Sequence, residues 1–165
     1  MKRRQFLQTA GVGLAASAIA APAVAQSSPE VKWRLTASWP KSLDTLYGGC
    51  EYFAKRVAEI TDNRFQIQTF AAGEVVPGLQ VLDAVQNGTV EMGNTALYYY
   101  FGKNPAFTFG TALPFGLNTR QMISWVRHGG GEALLNDLLK DFNCIGIAAA
   151  NTGAQIAHTI VITNL

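Results

Sequence analysis

The sequence predicts an α/β fold with a mostly parallel sheet flanked by helices. Segments with the alternating apolar pattern of strands are separated by segments whose apolar residues recur every three or four positions, as in helices. The order strand, helix, strand, loop, helix, strand forms two consecutive βαβ-like units, and such units build parallel sheets. The 165 residues are 48% hydrophobic and 15% charged, which is a globular composition, and they show no internal repeat.

The first 25 residues have the pattern of an export signal. A twin-arginine sequence, Arg3-Arg4-Gln5-Phe6-Leu7, precedes an apolar stretch rich in Ala and Gly over residues 10–21. An A-x-A site at residues 23–25 predicts cleavage before Gln26. A membrane anchor is the alternative, but the apolar stretch is shorter than the ~20 residues that a spanning helix needs. We therefore expect residues 1–25 to be a removable signal peptide and the mature chain to lie in the periplasm.

Charge and cysteine content narrow the class of protein further. The formal net charge is only +2, so neither nucleic acid nor a membrane surface is indicated as a partner. Cys50 and Cys144 could form a disulfide in the periplasm, but their apolar surroundings favour buried free thiols. Neither cysteine has another Cys or a His at metal-ligand spacing, so no zinc site is predicted.

The first half of the mature chain follows the strand and helix alternation. The first strand is expected over residues 31–38, and Ser42 or Asp44 can cap the helix after it. The second strand covers residues 64–70, and a loop with Gly and Pro over 71–78 leads to the next helix. The helix after the first strand has a regular apolar face made of Leu46, Cys50, Phe53, Val57 and Ile60.

The segment 79–103 predicts a helix, a tight stop and a short strand that leads into aromatic residues. Asn87-Gly88 provides the stop, and the strand starts at Val90 and Met92 and is expected to break at Gly93-Asn94. The expected buried face of this helix is Leu79, Leu82, Val85 and Gln86.

Polar and aromatic side chains follow this strand. In open α/β sheets, ligands bind outside the carboxyl ends of the strands, so Asn94, Thr95 and the tyrosines at 98–100 are expected to meet a small ligand. The alternative is that the tyrosines only cap the core and turn their hydroxyls to water.

The second half continues the alternation. Asn118 or Thr119 is expected to open a helix, the glycines at 129–131 form a corner between two helices, and the next helix covers residues 132–140. A last strand over residues 142–147 ends in a loop that contains Gly153.

Common enzymatic motifs of α/β proteins are missing from this sequence. The first strand is followed by Trp39-Pro40-Lys41-Ser42, which lacks the G-x-G-x-x-G fingerprint of dinucleotide binding, and no G-x-x-x-x-G-K-[ST] is present. A hydrolase needs a nucleophile, a base and an orienting group. His128 and His158 are the two histidines, and no G-x-S-x-G occurs. We therefore predict that the protein is not an enzyme.

Several phrases of the sequence together resemble one known family. They are Pro77-Gly78 followed by LDAVQNGTVEM over 82–92, PKSLDT over 40–45, YYYFGK over 98–103 and ANTGAQ over 150–155. With them the chain resembles the periplasmic solute-binding proteins of tripartite ATP-independent periplasmic (TRAP) transporters. PKSLDT and YYYFGK are similar to the branch that binds 2-oxo acids and other monocarboxylates.

The resemblance implies a transport receptor for small carboxylates that works with the membrane subunits of a TRAP transporter. Residues 26–155 would form the first lobe of a periplasmic-binding-protein type II-like fold. Tyr100, Asn151 and Gln155 would face the substrate, and the Gln155 amide oxygen would help to bind the substrate or an accompanying cation such as sodium. On the local sequence alone, an Asx turn at Asn151 and a solvated Gln155 are the alternative.

The resemblance ends at Gln155. Residues 156–165 are expected to be a divergent tail, whereas the family continues with a second lobe whose arginine pairs with the substrate carboxylate. We therefore expect a first lobe without its second lobe, from a truncated or frame-shifted gene, with impaired binding. A standalone α/β structural or protein-interaction module is the alternative interpretation.

Overall fold

The computed structural model describes residues 30–111, 113–150 and 158–163, which build one sheet with helices on both faces. The strands are β1 (Val31–Ala37), β2 (Phe65–Phe70), β3 (Met92–Thr95), β4 (Cys144–Ala150) and β5 (His158–Thr163). The helices are α1 (Asp44–Ile60), α2 (Val81–Gln86), α3 (Thr119–His128) and α4 (Gly131–Lys140). Short 3₁₀ turns are formed by Gly78–Gln80, Leu97–Tyr100 and Pro105–Gly110.

The sheet is mixed, with the strand order β2-β1-β3-β5-β4. β1 pairs in parallel with β2 and with β3, whereas β5 runs antiparallel to both β3 and β4. Only β5 is reversed among the described strands, so the carboxyl ends of the other four lie at one edge of the sheet. The predicted mostly parallel sheet flanked by helices is therefore confirmed.

β5 comes from the segment that the sequence sets apart as a divergent tail. Its register pairs Val161 with Gly93 on one side and with Gly146 on the other. A strand with neighbours on both sides is buried on its edges, so an uncharged, apolar sequence suits it. Residues 158–163 therefore complete the sheet, a role that the sequence did not predict.

α1 packs on the face of the sheet that carries Leu35 and buries Leu46, Tyr47 and Cys50 there. The predicted apolar face is thus right in the first half of the helix and wrong at Ile60, which is exposed. The predicted cap is also wrong. The residue before the helix is Leu43, and no side chain caps the first turn.

α2 and α4 cover the opposite face. Leu82 and Val85 of α2 are buried as predicted, but Leu79 is exposed. Residues 78–80 form a 3₁₀ turn, whose tighter period places Leu79 outside the helical face.

β3 continues through the point where the sequence predicts a break. Gly93 lies beneath α2, and a Cβ atom there would be 2.4 Å from Val81 Cγ1. The glycine therefore permits close approach of helix and strand, and it does not end the strand. Asn94 and Thr95 consequently belong to β3 and are buried.

An ion pair joins β1 to the residue that precedes β3. The Glu91 carboxylate accepts a hydrogen bond from the Arg34 backbone N–H at 2.7 Å and contacts from guanidinium Nε at 3.2 Å and Nη2 at 2.8 Å. The hydrogen bond from Arg34 lowers the pKa of Glu91 below its ordinary value. The contact lies at the surface and links the middle of β1 to the residue before β3.

The two cysteines are buried free thiols, as predicted. Cys50 belongs to the apolar cluster under α1 and Cys144 to the cluster under α4, so they lie on opposite faces of the sheet. Burial raises the pKa of Cys50 to about 12 and that of Cys144 to about 11.

The corner between α3 and α4 follows the predicted signals. Asn118 caps α3 and forms a reciprocal capping box with Gln121. Gly129 ends α3, and Gly130 has a φ of 82°, a left-handed conformation that glycine adopts without strain.

Candidate functional site

The carboxyl ends of β1, β3 and β4 lie at one edge of the sheet. Residues 38–40 follow β1, residues 96–103 follow β3, and the segment after β4 starts at residue 151. Asn151 and Gln155 belong to this third segment and lie outside the described residues, so their site roles stay predictions.

A chain of hydrogen bonds connects the first two segments. Ser38 Oγ lies 2.6 Å from the Gly78 carbonyl oxygen and 2.6 Å from Thr95 Oγ1. Thr95 Oγ1 in turn lies 2.8 Å from the Tyr100 hydroxyl, which accepts a hydrogen bond from the Leu82 backbone N–H at 3.1 Å. The chain therefore ties the ends of β1 and β3 to the start of α2.

The direction of this chain follows from counting protons. A carbonyl oxygen only accepts, so the single hydroxyl proton of Ser38 goes to Gly78. Thr95 must then donate to Ser38, and Tyr100 must donate to Thr95. Each of the three hydroxyl protons is used once, and every contact is satisfied.

Tyr100 is consequently held inside the protein. Its side chain is 2% exposed, and its proton is engaged with Thr95 in the described arrangement. Burial raises the pKa of Tyr100 and keeps the phenol neutral. The predicted contact between Tyr100 and the substrate stays a prediction. In this conformation the residue joins α2 to β3.

Three other aromatic rings lie next to each other at the strand ends. The Trp39 and Tyr99 ring centroids are 6.1 Å apart, and those of Tyr98 and Tyr99 are 4.7 Å apart in an edge-to-face arrangement. Trp39 is buried, while Tyr98 and Tyr99 are partly exposed. Burial and a hydrogen bond with Tyr98 raise the pKa of Tyr99 to about 12. The cluster thus offers apolar ring surface, and the Tyr99 phenol stays neutral with its proton engaged by Tyr98.

The lysines that follow β1 and β3 are both paired with carboxylates. Lys41 Nζ contacts Glu74 at 2.6 Å, and Lys103 Nζ contacts Asp83 at 2.6 Å. The hydrogen bond with Glu74 raises the pKa of Lys41. Lys41 therefore stays protonated, and the Glu74 carboxylate balances its positive charge. Neither lysine offers an uncompensated charge to an anionic ligand.

Ser38 and Trp39 were missed as site residues in the sequence. They follow β1 directly at the edge of the sheet. The residues after β3 were predicted as site residues because they follow a strand at that same edge. That shared position was the available signal. The burial of Asn94 and Thr95 was also missed, because the expected break at Gly93 moved both residues out of the strand.

The described part of the chain contains no cluster of His, Cys, Asp or Glu that could hold a metal ion. A search of the same residues for helices long and apolar enough to cross a membrane also finds none.

Comparison with known proteins defines the class to which this fold and site belong. The model of the DctP family, described as bacterial extracellular solute-binding protein, family 7, matches residues 36–161. The match covers most of the chain and includes four of the residues of β5. The chain therefore belongs to family 7 of the extracellular solute-binding proteins.

Individual relatives share this class. The chain is 52% identical over 162 residues to a monocarboxylate 2-oxoacid-binding periplasmic protein of Nostoc sp. (strain PCC 7120), covering 94% of this chain and 44% of the relative. A TRAP transporter solute-binding protein of Bordetella bronchiseptica, with copurified calcium and picolinate, is 48% identical, with a TM-score of 0.74 over 76% of this chain and 38% of that one. A Pseudoalteromonas atlantica protein with bound sodium and pyruvate is 28% identical, with a TM-score of 0.70 over 72% and 36%.

These comparisons support the predicted first-lobe fold. The chain spans less than half the length of each of these relatives.

Proposed function

We propose that this chain supplies one wall of the binding cleft of a periplasmic receptor that captures 2-oxo acids for a TRAP transporter. The observation that carries the proposal is sequence identity. About half of the aligned residues are identical to those of a relative named for 2-oxo acids and to those of a relative that holds picolinate, an aromatic carboxylate. The aromatic cluster at the carboxyl ends of β1 and β3 occupies the edge of the sheet where ligands of α/β folds bind.

The described residues suit an uncharged wall for a small, flat acid. Tyr98 and Tyr99 present partly exposed ring surface, and the raised pKa of Tyr99 keeps its phenol protonated at physiological pH. A neutral phenol adds no repulsive charge beside a carboxylate, and a hydrogen bond from Tyr99 to the substrate would replace its bond with Tyr98. Because Lys41 and Lys103 are already paired, the cation that neutralises the substrate has to come from elsewhere.

Tyr100, Asn151 and Gln155 remain the proposed substrate contacts. We assign the Gln155 amide oxygen to the substrate or to a sodium or calcium ion, since relatives bind such ions in the same structures as their carboxylates. The proton count at Tyr100 adds a condition to this assignment. If Tyr100 donates to the substrate, its bond to Thr95 has to break first.

A chimera tests the proposed function. Residues 26–155 are joined to the remainder of the Nostoc relative, and pyruvate binding is measured by calorimetry. We expect micromolar or tighter binding for the chimera and none at millimolar pyruvate for the 165-residue chain. The difference between these limits is about 4 kcal/mol, which is what enclosure and a second charged wall have to supply.

Single substitutions in the chimera test the site. Gln155→Ala should weaken pyruvate binding, whereas the control Gln68→Ala, on the exposed side of β2, should not. Tight pyruvate binding by the unmodified chain would refute the one-wall proposal. If Gln155→Ala leaves the pyruvate affinity of the chimera unchanged, the assignment of that residue is wrong.

Export is proposed by the twin-arginine route, with cleavage between Ala25 and Gln26. N-terminal sequencing of periplasmic material should begin at Gln26. Full-length protein held in the membrane fraction would contradict this assignment.

A further inference from the structure

The outer side of β4 is an edge of the described sheet. β4 pairs with β5 on one side and with no described strand on the other. A strand at an edge presents backbone N–H and C=O groups to which a strand of another molecule can add, and proteins usually protect such edges with lysine, proline or a very short strand. β4 is seven residues long, and its sequence CIGIAAA contains neither a charged residue nor proline. Its protection therefore has to come from another element.

The side chain of Asn136, from α4, occupies the middle of this edge. The Gly146 N–H donates to Asn136 Oδ1 at 2.7 Å, and Asn136 Nδ2 donates to the Gly146 carbonyl oxygen at 3.1 Å. The orientation of the amide is fixed by these two bonds, because an inverted amide would set oxygen against oxygen. Two residues that exchange both bonds in this way are the repeating unit of an antiparallel ladder. The Asn136 amide thus takes the place that the backbone of a sixth strand would take.

The pairing with β5 turns the backbone groups of Gly146 toward Asn136. Gly146 lies opposite Val161 in the register of the two strands. In an antiparallel pair, every second residue exchanges no hydrogen bonds with its partner and points its N–H and C=O to the other side of the strand. Gly146 is such a residue, since both of its groups bond to Asn136.

The absence of a side chain at Gly146 lets α4 approach closely enough for this contact. A Cβ atom at residue 146 would lie 2.5 Å from Leu139 Cδ1 and 3.0 Å from Thr159 Cγ2. Leu139 is fully buried and follows Asn136 by three positions, so both side chains lie on the same side of α4. The packing of Leu139 on the strand therefore brings the Asn136 amide to its edge.

Both ends of β4 are irregular, which leaves the middle as the place where a strand could add. Asn143, directly before the strand, has a φ of 53°, a left-handed conformation that turns the backbone. At the other end, the register with β5 shifts between Ala148 and Ala150. Such an irregularity disrupts the ladder locally. Asn136 bonds to the regular segment between these two points.

We propose that Asn136 closes this edge against the addition of a strand, and that without it a second copy of the chain pairs with β4. A second copy fits because two β4 strands can lie antiparallel across a two-fold axis with their Gly146 residues opposite each other. Each Gly146 then offers the other the same donor and acceptor that Asn136 offers within one chain. The inference concerns the state of association and is independent of any ligand of the receptor.

Hydrogen exchange and sedimentation of the full chain test this proposal. In Asn136→Ala the Gly146 N–H loses its acceptor, so at low protein concentration it should exchange about tenfold faster than in the parent. At high concentration the same amide should become protected again while sedimentation equilibrium shows a dimer. Alanine is the better helix former, so α4 is retained. Asp137→Ala, the neighbouring position with an exposed side chain paired to Lys140, is the matched control and should behave as the parent.

Asn136→Asp separates the two bonds. It keeps the acceptor for the Gly146 N–H and adds a charge at the edge, so this amide should stay protected and the variant should not pair through β4. The proposal is wrong if Asn136→Ala and Asp137→Ala show the same mass at every concentration. It is also wrong if the Gly146 amide exchanges equally fast in the parent and in Asn136→Ala. Dimers of Asn136→Ala in which this amide stays unprotected would equally overturn it, because the copies would then associate through another surface.

Discussion

The hydrogen-bond chain from Leu82 through Tyr100 and Thr95 to Ser38 predicts a specific non-additivity in stability. Thr95→Val preserves shape but removes the acceptor for the Tyr100 proton and the donor to Ser38. Tyr100→Phe removes the acceptor for the Leu82 N–H and the donor to Thr95. Both residues are buried, so water cannot replace the lost partners.

The expected magnitudes follow from what each substitution leaves unpaired. Each single variant leaves a buried donor without an acceptor, which costs about 1–3 kcal/mol of the free energy of unfolding. The double variant has no Tyr100 hydroxyl. It therefore lacks the unpaired proton that Thr95→Val alone would leave. The double variant should therefore be more stable than the sum of the single effects predicts, by about 0.5–1.5 kcal/mol.

Urea unfolding followed by tryptophan fluorescence measures this cycle, since Trp39 packs beside Tyr99 at the end of the chain of bonds. Thr89→Val, at an exposed turn position, serves as the control and should change stability by no more than about 0.5 kcal/mol. If the two effects add within error, or if Thr95→Val is as stable as the parent, the assigned direction of the hydrogen bonds is wrong.

Other substitutions and conditions have expected outcomes as well. Gly93→Ala should lower stability by about 1–3 kcal/mol in urea unfolding because its Cβ would overlap α2, whereas Gly49→Ala, with open space around it, should not. The lowered pKa of Glu91 means that its ion pair stabilises the fold above the ordinary carboxyl pKa and that this contribution is lost as pH falls, so the stability difference from Glu91→Gln should disappear in acid. Cys50 and Cys144 should resist iodoacetamide at pH 8 in the native protein and react in urea; fast native labelling would contradict their burial.

The regular elements were predictable because their patterns are local. The alternation over residues 31–38 and the apolar positions around Cys50 each match one periodicity, and Asn118 carries a capping signal that needs no tertiary context. The structure bears out all three.

The remaining features depend on contacts between distant residues. Gly93 is a strand residue because α2 lies above it, and no local pattern distinguishes this from a break. Thr159–Ile162 belongs to the expected divergent tail, and only its partners on both sides show that it is a strand of the sheet. The role of Ser38 likewise depends on Gly78 and Thr95, which are 40 and 57 residues away.

The place of β5 between β3 and β4 also affects the order in which the sheet can form during synthesis. β4 pairs with β5 and with no other described strand, so it cannot join the sheet before β5 has been synthesised. The strands β2, β1 and β3 can assemble earlier, because their pairings lie within residues 31–95. At about 5–20 residues per second, synthesis from residue 95 to residue 158 takes roughly 3–13 s. During that interval the outer edge of β3 has no neighbour, and the segment from α3 to β4 waits for the strand that attaches it.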